Sequence, residues 1–144
     1  MLIDQGELLW GMDFLFTRDF MAVSAKVHFE KGAVIFREGD NADYFYTLVE
    51  GRVGLTIGEP AKEIYIFDKA GEAFGWSSLV DRNYYSASAE CVEPSDLLRF
   101  EKNDLNAFLL KNVDSALVFY KRLAGMLGNR LIQCYKMIYS QDRS

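Results

Sequence analysis

GEAFGWSSLVDRNYYSASAE, residues 71–90, decides how the rest of this chain is read. It reads as a glycine turn, a short helical turn opening on Gly75-Trp76-Ser77-Ser78, a polar loop and a new strand. Glycine lets a ligand come close to the backbone, and the first N–H groups of a helical turn have no partner inside it. Together they make a ready site for an anion.

On both sides of this stretch, residues 26–101 alternate short apolar runs with glycine turns. Val27–Phe29 leads to Lys31-Gly32, Val34–Phe36 to Gly39-Asp40, and Tyr44–Val49 to Glu50-Gly51. Val53–Ile57 then leads to Gly58-Glu59-Pro60, and Glu63–Phe67 to Ala70-Gly71; Ser86–Val92 and Leu97–Phe100 close the series. Strands this short, with glycine where the chain reverses, predict a β-barrel or jelly roll. Ahead of them, residues 1–25 carry Leu8, Leu9, Met12, Leu15 and Phe16 at helical spacing and read as a helical cap. Behind them, residues 102–144 read as a short helix, Lys102–Leu110, capped near Asn103 or Asp104, and a long one from Val113 to about Tyr139. No linker separates these parts, so the whole is one domain.

The order of these motifs resembles the cyclic nucleotide-binding domain family, the ligand module of the catabolite activator protein and of cyclic-nucleotide-dependent kinases. The resemblance lies in Phe29-x-Lys31-Gly32-x-x-Ile35-Phe36-x-Glu38-Gly39-Asp40, in Tyr44-Phe45-Tyr46-x-Leu48-Val49-x-Gly51-x-Val53, and in Gly71-Glu72-x-Phe74-Gly75. It implies an eight-stranded jelly-roll barrel with a helix before it and two after it. It also implies that residues 71–90 are a phosphate-binding cassette. In the family that cassette runs Phe-Gly-Glu-x-Ala-Leu and, about ten residues on, Arg-Ser/Thr-Ala. Phe74-Gly75 keeps its start and Ser86-Ala87 its end, whereas Trp76 stands at the Glu position and Tyr85 at the Arg position. By the resemblance the Glu would accept the ribose 2′-hydroxyl and the Arg would pair with the cyclic phosphate.

Arginine suits a phosphate because its planar fork donates two parallel charged hydrogen bonds. A charged bond contributes about 1.5–3 kcal/mol, so its loss weakens binding roughly ten- to a hundred-fold. Tyr85 offers one neutral donor, and Trp76 cannot accept from a hydroxyl. The candidate ligand residues are therefore Phe74, Gly75, Trp76, Ser77, Ser78, Arg82, Tyr85, Ser86 and Ala87; Arg82 reads first as a solvated loop residue and second as a stand-in cation that swings in. Trp76 reads as pocket-filling rather than as a stacking platform. The helix positions that cover the base in the family align with Arg130 and Leu131.

In the long helix Val113, Leu117, Tyr120, Ala124, Leu127, Leu131, Cys134 and Ile138 step alternately by four and three, an unbroken heptad stripe. A second stripe, Ala116, Phe119, Leu123 and Met126, fades into Arg130 and Gln133. A helix with two apolar faces has two surfaces to cover. The expected arrangement docks one on its own barrel and pairs the other with the same helix of a second subunit, giving a homodimer. The alternative buries both within one chain.

Composition narrows the function. A chain of 144 residues can bury roughly 70% of its unfolded surface, and half of these residues are hydrophobic. A net charge of −5 makes a poor nucleic-acid binder, and Lys121, Arg122, Arg130 and Lys136 read as a solvated helix face. The activator subfamily reads DNA with a module beyond the long helix, so this chain alone is not expected to bind nucleic acid. Two cysteines without a CxxC point to a reducing compartment, and without a charged leader or a long apolar run the expected location is the cytoplasm, with no membrane contact.

The single histidine, His28, reads as a strand residue and cannot supply the metal motif of a cupin-like barrel. No catalytic residues and no metal are expected. The reading is a non-enzymatic sensor domain. Its candidate ligand is a cyclic nucleotide, cAMP or cGMP, recognised weakly because of the departed cassette, or another small molecule. The alternative is a non-binding dimerisation or protein-interaction module on the same fold.

Overall fold

The computed structural model describes residues 6–80 and 82–142. Residues 1–5 of the expected cap, Asp81 in the cassette and residues 143–144 lie outside the described residues. The chain is mainly β, with helices α1 (Gly6–Leu9) and α2 (Phe14–Val23) before the sheet and α3 (Lys102–Lys111) and α4 (Val113–Asp142) after it. The strands are β1 (Ala25–Phe29), β2 (Val34–Phe36), β3 (Tyr44–Ile57), β4 (Lys62–Phe67), β5 (Ala73–Phe74) and β6 (Ser88–Glu101).

All pairing is antiparallel. The order β1-β6-β3-β4 forms the sheet, with β2 on β6 and β5 on β3. Eight strands and a closed barrel are the expectation; the described residues make six strands in an open sheet. The difference lies in β3 and β6, each of which joins two runs that read as separate strands. At Glu50-Gly51 the register against β6 shifts, but the strand continues. Gly51 sits at φ +123°, and a Cβ there would come within 2.6 Å of Ser95 Cα. The Ser95 hydroxyl accepts from the Arg52 amide at 3.0 Å and donates to the Glu93 carbonyl at 2.9 Å, holding both strands through the bulge. The glycine here bends a strand instead of reversing it.

Strand alternation divides the core in two. Phe45 of β3 and its partner Phe100 of β6 face the helices, where Phe20, Phe119, Leu105 and Leu8 are also fully buried. Phe20 meets Phe100 at 4.6 Å and Phe119 at 5.3 Å between ring centroids. Tyr46 and Leu48 face the other way with Leu97, Phe67 and Phe74, inside the curl of the sheet. Leu15, which fits the helical period of the cap, points outward because α1 and α2 are separate short helices with different faces.

The N-cap of α3 is Glu101, ahead of the expected Asn103 or Asp104. Its carboxylate accepts from the Asn103 and Asp104 amides at 3.1 and 2.9 Å. In α4 the stripe Ala116, Phe119 and Leu123 is buried against the first core. Of the heptad stripe, Tyr120 and Leu127 are partly buried, while Val113, Leu117, Ala124, Leu131, Cys134 and Ile138 are exposed. From 131 to 140 every residue of the helix is exposed.

Candidate functional site

The cassette begins where β5 adds to β3, with Phe74 opposite Tyr46. Gly75 then turns the chain at φ 76° and ψ 28°, a left-handed conformation. A Cβ there would stand 2.9 Å from the Tyr44 carbonyl oxygen and 3.4 Å from the Tyr46 ring, so the position is closed to side chains on two counts. Trp76–Leu79 follow as one 3-10 turn. Ser78 is buried beneath it and its hydroxyl donates to the Gly75 carbonyl at 2.8 Å. Ser78 therefore locks the turn and faces away from the cavity described next.

That cavity, about 470 Å³, lies between the cassette, the inner strand wall and α4. Seven of the nine sequence candidates line it: Phe74, Gly75, Trp76, Ser77, Tyr85, Ser86 and Ala87. Arg82 does not. Its guanidinium lies 5.7 Å from the Trp76 ring centroid, on the outside of the cassette. The strand wall adds Phe36, Leu55, Ile57 and Ile64, and the helix adds Leu127, Arg130, Leu131 and Cys134. The wall residues are ordinary apolar strand residues, and nothing in their local sequence marks them as a lining.

Tyr85, at the family's arginine position, is a strut. Its hydroxyl donates to the Tyr44 carbonyl at 2.6 Å and accepts from the Tyr44 amide at 3.0 Å. Its ring stacks on Phe36 at 3.8 Å and 13°. Burial pushes its pKa up, so the phenol stays neutral. Its backbone is tied down as well: the Tyr85 amide donates to the Asp40 carbonyl, the Gly39 amide donates to the Tyr85 carbonyl, and the Ala42 amide donates to the Asn83 carbonyl. Tyr85 lines the cavity with its polar atom already bonded.

Arg130 is the cation in the wall. The expected solvated face places it outward; instead its aliphatic stem crosses to the sheet and its guanidinium stacks over Phe67 at 4.6 Å and Tyr65 at 5.3 Å. It donates to the Ala73 carbonyl at the root of the cassette. The Tyr65 hydroxyl donates to Glu72 at 3.1 Å. Burial lowers the Arg130 pKa, with Tyr65 and Glu72 acting against it, but a guanidinium remains charged. Among the described residues, no carboxylate lines the cavity. The cavity is thus lined mainly by apolar side chains, with Ser77, Ser86 and Arg130 its polar members.

A family model described as "Cyclic nucleotide-binding domain" matches residues 26–112. A cGMP-dependent 3′,5′-cGMP phosphodiesterase from Dictyostelium discoideum is 29% identical over 112 residues, 78% of this chain and 12% of that protein. The chain thus spans only about an eighth of that relative's length. A cyclic nucleotide-binding domain from Methylobacillus flagellatus superposes with a TM-score of 0.82 at 22% identity, over 92% of this chain and 76% of that one. The sensor domain of the transcriptional regulator DNR from Pseudomonas aeruginosa superposes with a TM-score of 0.71 at 28% identity, over 90% and 89%.

Proposed function

The chain belongs to the cyclic nucleotide-binding domain family, and from that premise we propose that it is a ligand-sensing regulatory domain. Its sensing site is the cavity between cassette and α4, and it works as a homodimer through α4. One observation carries this reading: the same helix closes the cavity with Leu127, Arg130 and Leu131 and continues as an uncovered apolar stripe. A ligand in the cavity therefore touches the element that would meet the second copy. A regulatory rather than catalytic role follows from the family. The phosphodiesterase relative shares too little of its length with this chain to lend it an activity.

The family makes cAMP or cGMP a ligand that this cavity can admit. Its chemistry makes tight binding of either unfavourable. No carboxylate among the described residues lines it to accept the 2′-hydroxyl, and the tyrosine at the phosphate position is bonded to Tyr44. The missing charged bond alone predicts affinity ten- to a hundred-fold below that of a complete cassette. A second reading, a dimerising module that binds nothing, draws on the same observation: Trp76 and Tyr85 present rings where the family presents charges.

Calorimetry with cAMP, cGMP and cyclic dinucleotides separates the two. Saturable heat at sub-millimolar ligand, weakened by Ser86→Ala, supports the sensor; no heat and no melting shift with any of them supports the silent module. No helix of the described residues is long and apolar enough to cross a membrane. The acidic chain lacks a basic patch for nucleic acid, and we place it in the cytoplasm.

A further inference from the structure

We infer that the cavity is built for a small organic anion with an apolar body, a carboxylate or sulfonate, and that Arg130 is its counter-ion. The inference rests on reading the cavity as a ligand site and names the chemistry of its occupant. Three features carry it.

First, the Arg130 guanidinium has no ion-pair partner among the described residues; its acceptor is the neutral Ala73 carbonyl. Glu72, the nearby carboxylate in this network, has its oxygens taken by the Tyr65 hydroxyl at 3.1 Å and by the Asp68 and Lys69 amides at 2.8 and 3.0 Å. The Glu72 charge acts on this partly buried cation from beyond ion-pair distance, and an anion entering the cavity would give it a direct partner.

Second, the guanidinium is held in place before any ligand arrives. Phe67 and Tyr65 stack against it and Ala73 fixes one edge. A pre-set fork loses little entropy when it pairs with a carboxylate or sulfonate.

Third, the rest of the chamber is apolar. Phe36, Leu55, Ile57 and Ile64 form one wall, and Leu127 and Leu131 face them from α4. A cyclic nucleotide would bring a ribose hydroxyl, a phosphodiester and a polar base edge into this space, and most of those groups would lack partners. An apolar anion brings one polar group, and Arg130 is there to pair with it. A cavity of about 470 Å³ suits a molecule with two or three fused or linked rings.

The test uses two fluorescent probes that differ in one group: 8-anilinonaphthalene-1-sulfonate and the uncharged N-phenyl-1-naphthylamine. Both are titrated into the wild-type protein, Arg130→Gln, and Ser86→Trp, which narrows the exposed mouth. The expected result is saturable binding of both probes to the wild type and weakening of both by Ser86→Trp. Arg130→Gln should weaken the sulfonate at least ten-fold and leave the uncharged probe within about two-fold, since one charged bond is lost. Retained binding of the uncharged probe also reports that the cavity in Arg130→Gln is intact.

Equal weakening of both probes by Arg130→Gln, or none, overturns the inference. So does sulfonate binding that ignores Ser86→Trp, because the probe then sits elsewhere. Heat with cyclic nucleotides but no probe binding leaves the sensor reading standing and overturns only this inference. Silence with every ligand overturns both.

Discussion

The Tyr85 hydroxyl donates to the Tyr44 carbonyl at 2.6 Å and accepts from the Tyr44 amide at 3.0 Å, so one phenol satisfies both backbone groups of one residue. The pair joins the end of the cassette to the start of β3. Tyr85→Phe keeps the ring stack on Phe36 but leaves two backbone groups without a partner. The expected cost is about 1–3 kcal/mol, read as a lower urea midpoint with an unchanged slope. Unaltered stability would mean that water replaces the phenol.

Glycines in this chain divide by what surrounds them. Gly75→Ala should destabilise by at least about 1–2 kcal/mol from the left-handed backbone alone. The 2.9 Å approach to the Tyr44 oxygen adds to that. Gly125, inside α4, has no atom within 4 Å of an added Cβ. Gly125→Ala should therefore raise stability by about 1 kcal/mol. A drop in melting temperature for Gly125→Ala would reveal another helix packed against that position.

The uncovered stripe of α4 predicts a dimer. Leu117 is 58% exposed and Ile138 59% exposed, so neither supports the fold of a single chain. Light scattering should give a dimer mass at micromolar concentration. Leu117→Glu combined with Ile138→Glu should give a monomer with an unchanged far-UV spectrum. Cys134, exposed on the same stripe, should form an intersubunit disulfide under a mild oxidant, whereas buried Cys91 should not react. A wild-type monomer mass would sink the dimer reading.

His28 is the chain's one histidine, so its titration is readily assigned. Nδ1 lies 2.8 Å from Asp96 and Nε2 lies 3.2 Å from Glu30. Both carboxylates favour the imidazolium, Asp96 most, and they raise its pKa above 6.5. A group whose folded pKa is raised stabilises the fold below the unfolded pKa, and that contribution is lost as pH rises through the folded one. Proton resonance titration should place the His28 midpoint above 6.5, and Asp96→Asn should bring it down. A midpoint unmoved by Asp96→Asn would show that solvent screens the pair.

Much of this architecture is legible along the chain. Gly32, Gly39, Gly58, Gly71 and Gly75 each mark a positive φ, and the apolar runs between them are strands, because turn chemistry and alternation are local properties. The two periods of α4 show which of its faces meets the sheet, since Ala116, Phe119 and Leu123 repeat with the helix. Phe74, Trp76 and Ser77 reach the cavity because the Gly75 turn places its neighbours together, whereas Tyr85 is brought back to them by its bonds to Tyr44 and Asp40.

Other features are invisible at that level. Glu50-Gly51 has the composition of a turn, and only its packing against Ser95 makes it a bulge within one strand. Tyr85 looks like a spare donor until Tyr44, far away in sequence, takes both sides of its hydroxyl. Arg130 looks like solvated surface until the register of α4 sets it over Phe67 and against Ala73. The sequence by itself determined the family, the strand and helix order and the place of the cassette, because these follow from backbone preference and periodicity. Only the tertiary structure decided which polar groups remain for a ligand, because that depends on contacts between segments that no local pattern encodes.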